Sequence, residues 1–241
     1  MDWFTSAPGE GYASRLGDLG ELLATVILTS VYGNFDPLRP LPKNHGFDRA
    51  VCVTDNPDLS ADGWEIVVVP SNLSPRLAAK RAKMMPFDFV KAEFAVWIDA
   101  AFEIVGDGFR EFCEKAIEGK DIVVWDHPDR HMRPDAFAEA AYSRTMAKYG
   151  DQDLEGQAAH YLSDGLLAGS GLWACGTIVW RNRQKAREFG RRWYEENVRW
   201  TIQDQISFPY LVWKLQPNFG VFPAHEYENP YLRWWMHERN V

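Results

Sequence analysis

An α/β protein with a mostly parallel central sheet and helices on both faces is the fold class this sequence predicts, on three observations. Runs such as Leu23 to Val31 and Phe94-Ala95-Val96-Trp97-Ile98 are continuously apolar or β-branched rather than alternating, as strands buried on both faces require. Helical periods come between such runs, the clearest being Gln184 to Trp200, which sets Ala186, Phe189, Trp193 and Trp200 near one stripe. The chain of 241 residues is 46% hydrophobic and 14% aromatic, enough for one large core. Strands separated by helices close a parallel sheet through crossover connections.

Taken in order, residues 1–20 are rich in Gly, Ser, Ala and charge without a period, and are expected to form a flexible leader ahead of a single domain over 21–241. The first strand, Leu23 to Val31, closes on Tyr32-Gly33-Asn34, and Pro37, Pro40 and Pro42 then hold an extended connection. Phe47 to Val53 and Trp64 to Val69 read as the second and third strands, closing on Thr54-Asp55-Asn56-Pro57 and on Pro70. Ser74-Pro75 starts a helix, with serine as cap and proline at the first helical position, and Pro86 stops it after about Met85.

The fourth strand leads into Asp99, a helix covers Gly108 to Ile117, and Ile122 to Trp125 is a fifth strand. Helical segments follow over Pro134 to Tyr149 and Asp153 to Tyr161, then a strand at Cys175 to Trp180 and helices at Gln184 to Trp200 and Thr201 to Trp213. Residues 217–241 carry Tyr227, Tyr231, Trp234 and Trp235 and are read as a C-terminal lid, with core or subunit contact as the alternatives.

Composition narrows the function. With 26 basic against 34 acidic residues the net charge is −8, which disfavours a broad nucleic-acid interface. Cys52, Cys113 and Cys175 are odd in number and far apart, so they suggest neither disulfides nor a zinc site and suit a reducing cytoplasm. The apolar stretch from Leu22 to Val31 is too short to span a bilayer. Walker A, nucleophile-elbow and Cys-x-x-Cys patterns do not occur, and the glycines of Gly169-Ser170-Gly171 precede a strand rather than a helix.

Asp99, just past a buried run, stands where open α/β sheets hold their ligands. Around it the chain carries, in order, Tyr32-Gly33-Asn34-Phe35-Asp36, Val53-Thr54-Asp55, a basic helix before Pro86-Phe87, Trp97-Ile98-Asp99, His127-Pro128-Asp129-Arg130, Gly171-Leu172 and Asp204-Gln205-Ile206-Ser207-Phe208. Each motif is short, but the ordered set resembles the TOD1/MUCI70 glycosyltransferase-like family over roughly residues 25–215. The resemblance implies a GT-A-like, Rossmann-type sandwich that moves a sugar from a nucleoside-diphosphate sugar to a hydroxyl acceptor, commonly with Mn²⁺ or Mg²⁺. Where GT-A enzymes usually carry Asp-x-Asp, this chain has Asp99-Ala100-Ala101, so the second carboxylate is missing.

Those implications assign candidate roles. Asp99 would anchor a metal or the donor sugar, unless it only caps the turn after its strand, with His225 and His237 as late histidine ligands or else ordinary surface or packing residues. Arg76, Lys80 and Lys83 fall at i, i+4 and i+7, so one helical face could meet the diphosphate and substitute in part for a metal; a solvated charge row is the alternative. Ser30, Tyr32, Gly33 and Asp55, at the ends of the first two strands, would contact the nucleotide, with Tyr32 stacking on the base and Asp55 accepting from base or ribose, unless they serve only the turns. Asp204 is the candidate general base or cation stabiliser, or simply a helix cap. His127, Arg130, Trp173 and Gln205 are placed with the acceptor or donor sugar. A non-catalytic nucleotide- or sugar-binding module and a transferase acting on modified DNA are the competing functions.

Overall fold

The computed structural model describes residues 24–235; the expected leader and His237 lie outside the described residues. The strands are β1 (Thr25–Val31), β2 (Arg49–Thr54), β3 (Glu65–Val68), β4 (Phe94–Ile98), β5 (Phe102–Ile104), β6 (Ile122–Asp126), β7 (Trp173–Arg181), β8 (Phe219–Val221) and β9 (Leu232–Trp234). The helices are α1 (Pro75–Met84), α2 (Phe109–Ala116), α3 (Ala136–Ser143), α4 (Leu154–Ser163), α5 (Gln184–Arg199) and α6 (Asp204–Leu215). Seven strands make one sheet in the order β3-β2-β1-β4-β7-β6-β8, and β5 pairs with β9 in a small second one.

The fold is thus mixed α/β with a mostly parallel sheet. β1 to β4 pair in parallel, β8 is parallel to β6, and β7 runs against both its neighbours. The antiparallel strand was not apparent in the sequence, where α3 and α4 read like a crossover. Trp173, the first residue of β7, pairs with Asp126, the last of β6. The chain therefore leaves and re-enters the sheet at the same rim, and the two helices stay there.

Alternation within β1 divides the core. Val26 and Leu28 pack with Ala78, Met84, Phe189, Trp193 and Phe208 from α1, α5 and α6, whereas Ile27 packs with Phe109 and Cys113 of α2 and with Trp125. Each such large side chain contributes about 1.5–3 kcal/mol on full burial.

Several boundaries differ for local reasons. Ser74 stands at the cap of α1, but Pro75 alone opens the helix, since no side-chain capping bond forms. The long helix expected from Pro134 is broken into α3, which starts after Asp135 because its Oδ1 accepts the amides of Phe137 and Ala138 at 2.9 Å each, and a separate 3-10 turn at Ala147–Tyr149. α6 begins at Asp204 rather than Thr201. Gln157 Oε1 accepts the Thr201 hydroxyl at 2.7 Å and Gln152 Oε1 the Ile202 amide at 2.8 Å, which holds the preceding residues out of the helix.

The tail, expected as a lid, is through residue 235 built into the fold. β8 extends the main sheet, Phe222 stacks on Phe112 at 5.2 Å, and β9 pairs with β5. Among the described residues no helix is long and apolar enough to cross a membrane.

Candidate functional site

α1 packs on the face of the sheet over β1 and reaches the carboxyl ends of the parallel strands at Pro75 and Lys83. At its start Pro75 covers Gly33, whose φ of +62° suits glycine and where a Cβ would stand 2.8 Å from the proline ring. At its end Lys83 reaches Asp99 beyond β4. The helix thus spans the rim from β1 to β4.

Asp99 is fixed on three sides. Its amide donates to the Gly176 carbonyl at 2.7 Å, and its Oδ1 accepts Trp97 Nε1 at 2.7 Å and Lys83 Nζ at 3.3 Å. The side chain remains 39% exposed. Trp97 and Asp99 share a strand face, so the local pattern Trp-x-Asp brings its own donor to the carboxylate.

Asp204 arrives from α6. Trp193 Nε1 donates to the Asp204 carbonyl and to Ser207 Oγ, both at 3.1 Å, and Asn197 Nδ2 donates to Ser207 Oγ at 3.0 Å. The preceding Gln203 donates to Glu139 at 2.7 Å. The first turn of α6 is thereby pinned to α5 and α3, and Asp204 Oδ2 meets Lys80 Nζ at 2.5 Å and Lys83 Nζ at 2.7 Å. The two ammonium groups press on one oxygen at ion-pair distance without well-aligned hydrogen bonds. Lys83, with its side chain only 4% exposed, therefore joins Asp99 and Asp204.

The charges follow from this packing. Burial alone would raise the Asp204 carboxyl, but Lys80 and Lys83 outweigh it and hold the group ionised, well below the usual carboxylate range. Burial likewise opposes the Lys83 ammonium, yet Asp204 and Asp99 push it above its ordinary value. A carboxylate so paired is a poor proton acceptor. Its position supports the lysines rather than base catalysis.

Glu226, which no sequence motif marks, is a buried carboxyl beside Asp99. Its Oε1 accepts the Gly176 amide at 3.1 Å, and burial followed by the Asp99 charge pushes it up to about 8. A side chain on Gly176 would meet that oxygen at 2.6 Å. One glycine thus ties the two segments together, its carbonyl accepting the Asp99 backbone amide and its own amide donating to the Glu226 carboxyl.

Among the described residues these side chains do not make a divalent-ion site. Asp99 Oδ1 is committed to an indole and an ammonium, and the following Ala101 is buried. His225 is exposed and its Nδ1 accepts the Tyr227 amide at 3.2 Å. Among the described residues no group of three or more His, Cys, Asp or Glu side chains is placed to hold a metal.

Other sequence candidates fall into two groups. Asp55 stands at the rim and takes the Gly33 amide at 3.0 Å, so it braces the turn after β1. Arg76 lies on α1 with Lys80, and its NH1 donates to the Lys148 carbonyl at 3.2 Å. Tyr32 is a correction. It is buried, its hydroxyl donates to Val69 O at 3.1 Å, and burial followed by Asp55 pushes it up to about 12, so no ring face is open to a base. Ser30 is also buried and donates to Ala79 O at 3.3 Å, tying β1 to α1.

His127, Arg130, Trp173 and Gln205 do not join Asp99 in a common contact. Arg130 pairs with Asp126 at 2.5 Å, Trp173 packs edge-on to Phe208 and Phe219, and Gln205 accepts from Gln203 at 3.3 Å. His127 is buried and its Nδ1 accepts the Asp129 amide at 3.1 Å. Burial, then Arg133, lower it to about 4, partly offset by Asp129.

Because the folded state favours the neutral imidazole, His127 stabilises fully above its ordinary value of 6.5, and that contribution is lost as pH falls towards 4. The loss is on the order of 3 kcal/mol. His127→Asn, which keeps an acceptor for Asp129, is expected to flatten the fall in melting temperature across that window. An unchanged pH profile would contradict this.

The site geometry can be set beside known proteins. The chain matches a model of the TOD1/MUCI70, glycosyltransferase-like domain over residues 48–232. A comparison with curated protein sequences finds no match. Among solved structures, the apo form of the bifunctional glycosyltransferase WbbM is similar at 13% identity with a TM-score of 0.49. The alignment covers 86% of this chain and 40% of that one, so this chain spans about two fifths of its length. With most of its length matched by one family model, the chain belongs to the TOD1/MUCI70 glycosyltransferase-like family.

Proposed function

We propose that the chain transfers a sugar from a nucleoside-diphosphate sugar to a hydroxyl acceptor at the rim beneath α1. The observation that carries this reading is the convergence of Asp99 and Asp204, distant in sequence, on the Lys83 ammonium beside Lys80. In the reaction the acceptor oxygen bonds to the anomeric carbon as the bond to the diphosphate breaks. The electron pair goes to the diphosphate and the hydroxyl proton to solvent. Charge grows on the diphosphate while the sugar becomes cationic, so cations are needed on one side and a carboxylate on the other.

Lys80 and Arg76 face the first need. Asp99, partly exposed and negatively charged, faces the second and can accept hydrogen bonds from the donor sugar. Asp204 keeps the α1 ammonium groups in place. Three free, buried cysteines suit a reducing compartment and favour a cytoplasmic site of action.

Thermal-shift titrations with UDP, GDP, ADP and CDP, followed by nucleotide release from the matching sugar donors, test the reading. Binding of at least one nucleotide and turnover of its sugar are expected, with Asp99→Asn lowering kcat by about 100-fold. Binding without turnover would favour a non-catalytic module, and no binding would refute the proposal.

A further inference from the structure

Two cations sit on one aromatic ring at the edge of the proposed site. The Arg76 guanidinium lies 5.3 Å and Lys148 Nζ 4.9 Å from the Tyr149 ring centroid. The Arg76–Lys148 carbonyl hydrogen bond fixes the first turn of α1 to the Ala147–Tyr149 turn. Among the described residues no carboxylate lies within ion-pair distance of either cation. Lys80, one helical turn beyond Arg76, already shares Asp204 with Lys83.

Like charges held together in this way are costly unless an anion joins them. Partial burial, followed by the Arg76 charge, holds the Lys148 ammonium below its ordinary value, and the more distant Asp204 and Glu139 offset this only in part. Tyr149 is buried in the core, so packing holds the ring against which both cations lie.

The geometry points to a diphosphate seat formed by Arg76, Lys80 and Lys148, which grips the anion directly rather than through a divalent cation. This rests on the proposed function and adds to it a further binding residue, Lys148, and a metal-free mode of recognition. Three separate donors can each take a different phosphate oxygen, Arg76 in a planar fork and the lysines as point charges.

Calorimetric titration of inorganic pyrophosphate and of UDP and GDP into the full chain, once with EDTA and once with Mn²⁺, tests it. Binding in EDTA is expected within about twofold of that in Mn²⁺. Lys148→Ala and Arg76→Ala should each weaken it by about tenfold with little change in melting temperature, and Lys148→Arg should restore most of the loss. A strict requirement for Mn²⁺, or wild-type affinity in both alanine variants, would overturn the inference. If a nucleotide binds and its sugar donor is turned over while these variants bind normally, only the inference fails. If the unaltered chain binds neither pyrophosphate nor any nucleotide in either condition, the proposed function fails with it.

Discussion

Lys83→Ala is expected to lower the unfolding free energy by about 3–5 kcal/mol at neutral pH, because breaking a buried ion pair leaves charge without compensation. The ammonium meets Asp204 at 2.7 Å and Asp99 at 3.3 Å, and its removal leaves Lys80 alone against a buried carboxylate. The pH dependence has a definite sign. Asp204, with its folded value depressed, contributes stability that is present above the ordinary carboxyl range and lost as pH falls below it. Lys83, with its folded value raised, contributes stability that is full below the ordinary lysine value and lost as pH rises through the folded one.

The gap between wild type and Lys83→Ala should therefore be widest on the neutral plateau and shrink in acid. Urea unfolding at a series of pH values measures it. Lys83→Met keeps most of the packing volume, so the difference between the two variants separates lost charge from lost contact. A gap below 1 kcal/mol at neutral pH would show that the pair is only of surface strength.

Gly190→Ala is expected to be the most damaging small change away from the charges. Alanine in a helix interior gains roughly 1 kcal/mol over glycine in intrinsic propensity. Here the added Cβ would stand 1.9 Å from the Met84 carbonyl oxygen, a backbone atom that cannot rotate away. α5 and the end of α1 would have to separate, and overpacking of that kind costs about 1–3 kcal/mol or more.

The balance is a net loss of stability, readable as a lower urea midpoint. It also reaches function, since Met84 follows Lys83 and a shifted α1 end withdraws the ammonium from Asp99 and Asp204. Nucleotide affinity should fall along with stability. A stabilised Gly190→Ala variant would mean that helix propensity outweighs the contact.

Much of the sheet and part of the site were legible in the sequence for specific reasons. The continuous apolar run ending in Asp99 marked β4 and its carboxyl end, and the 3.6-residue spacing of Arg76, Lys80 and Lys83 marked one face of α1. Lys148 was not legible, because nothing in its neighbourhood shows that a 3-10 turn will lie against α1. Glu226 was equally hidden in an aromatic-rich tail, and only the glycine at 176 makes room for it. Tyr32 misled because a tyrosine after a strand reads like a binding platform, whereas the chain folds it inward onto Val69. The direction of β7 depended on which rim the α3 and α4 excursion returns to, a tertiary matter that periodicity does not encode.

The most direct test is a crystal structure of the chain with whichever nucleoside diphosphate raises its melting temperature most. The diphosphate is predicted to lie between α1 and the Ala147–Tyr149 turn, in contact with Lys80 and Lys148, with Asp99 facing the end that would carry the sugar. A nucleotide bound away from this rim, leaving Asp99, Lys80 and Lys148 untouched, would contradict the account.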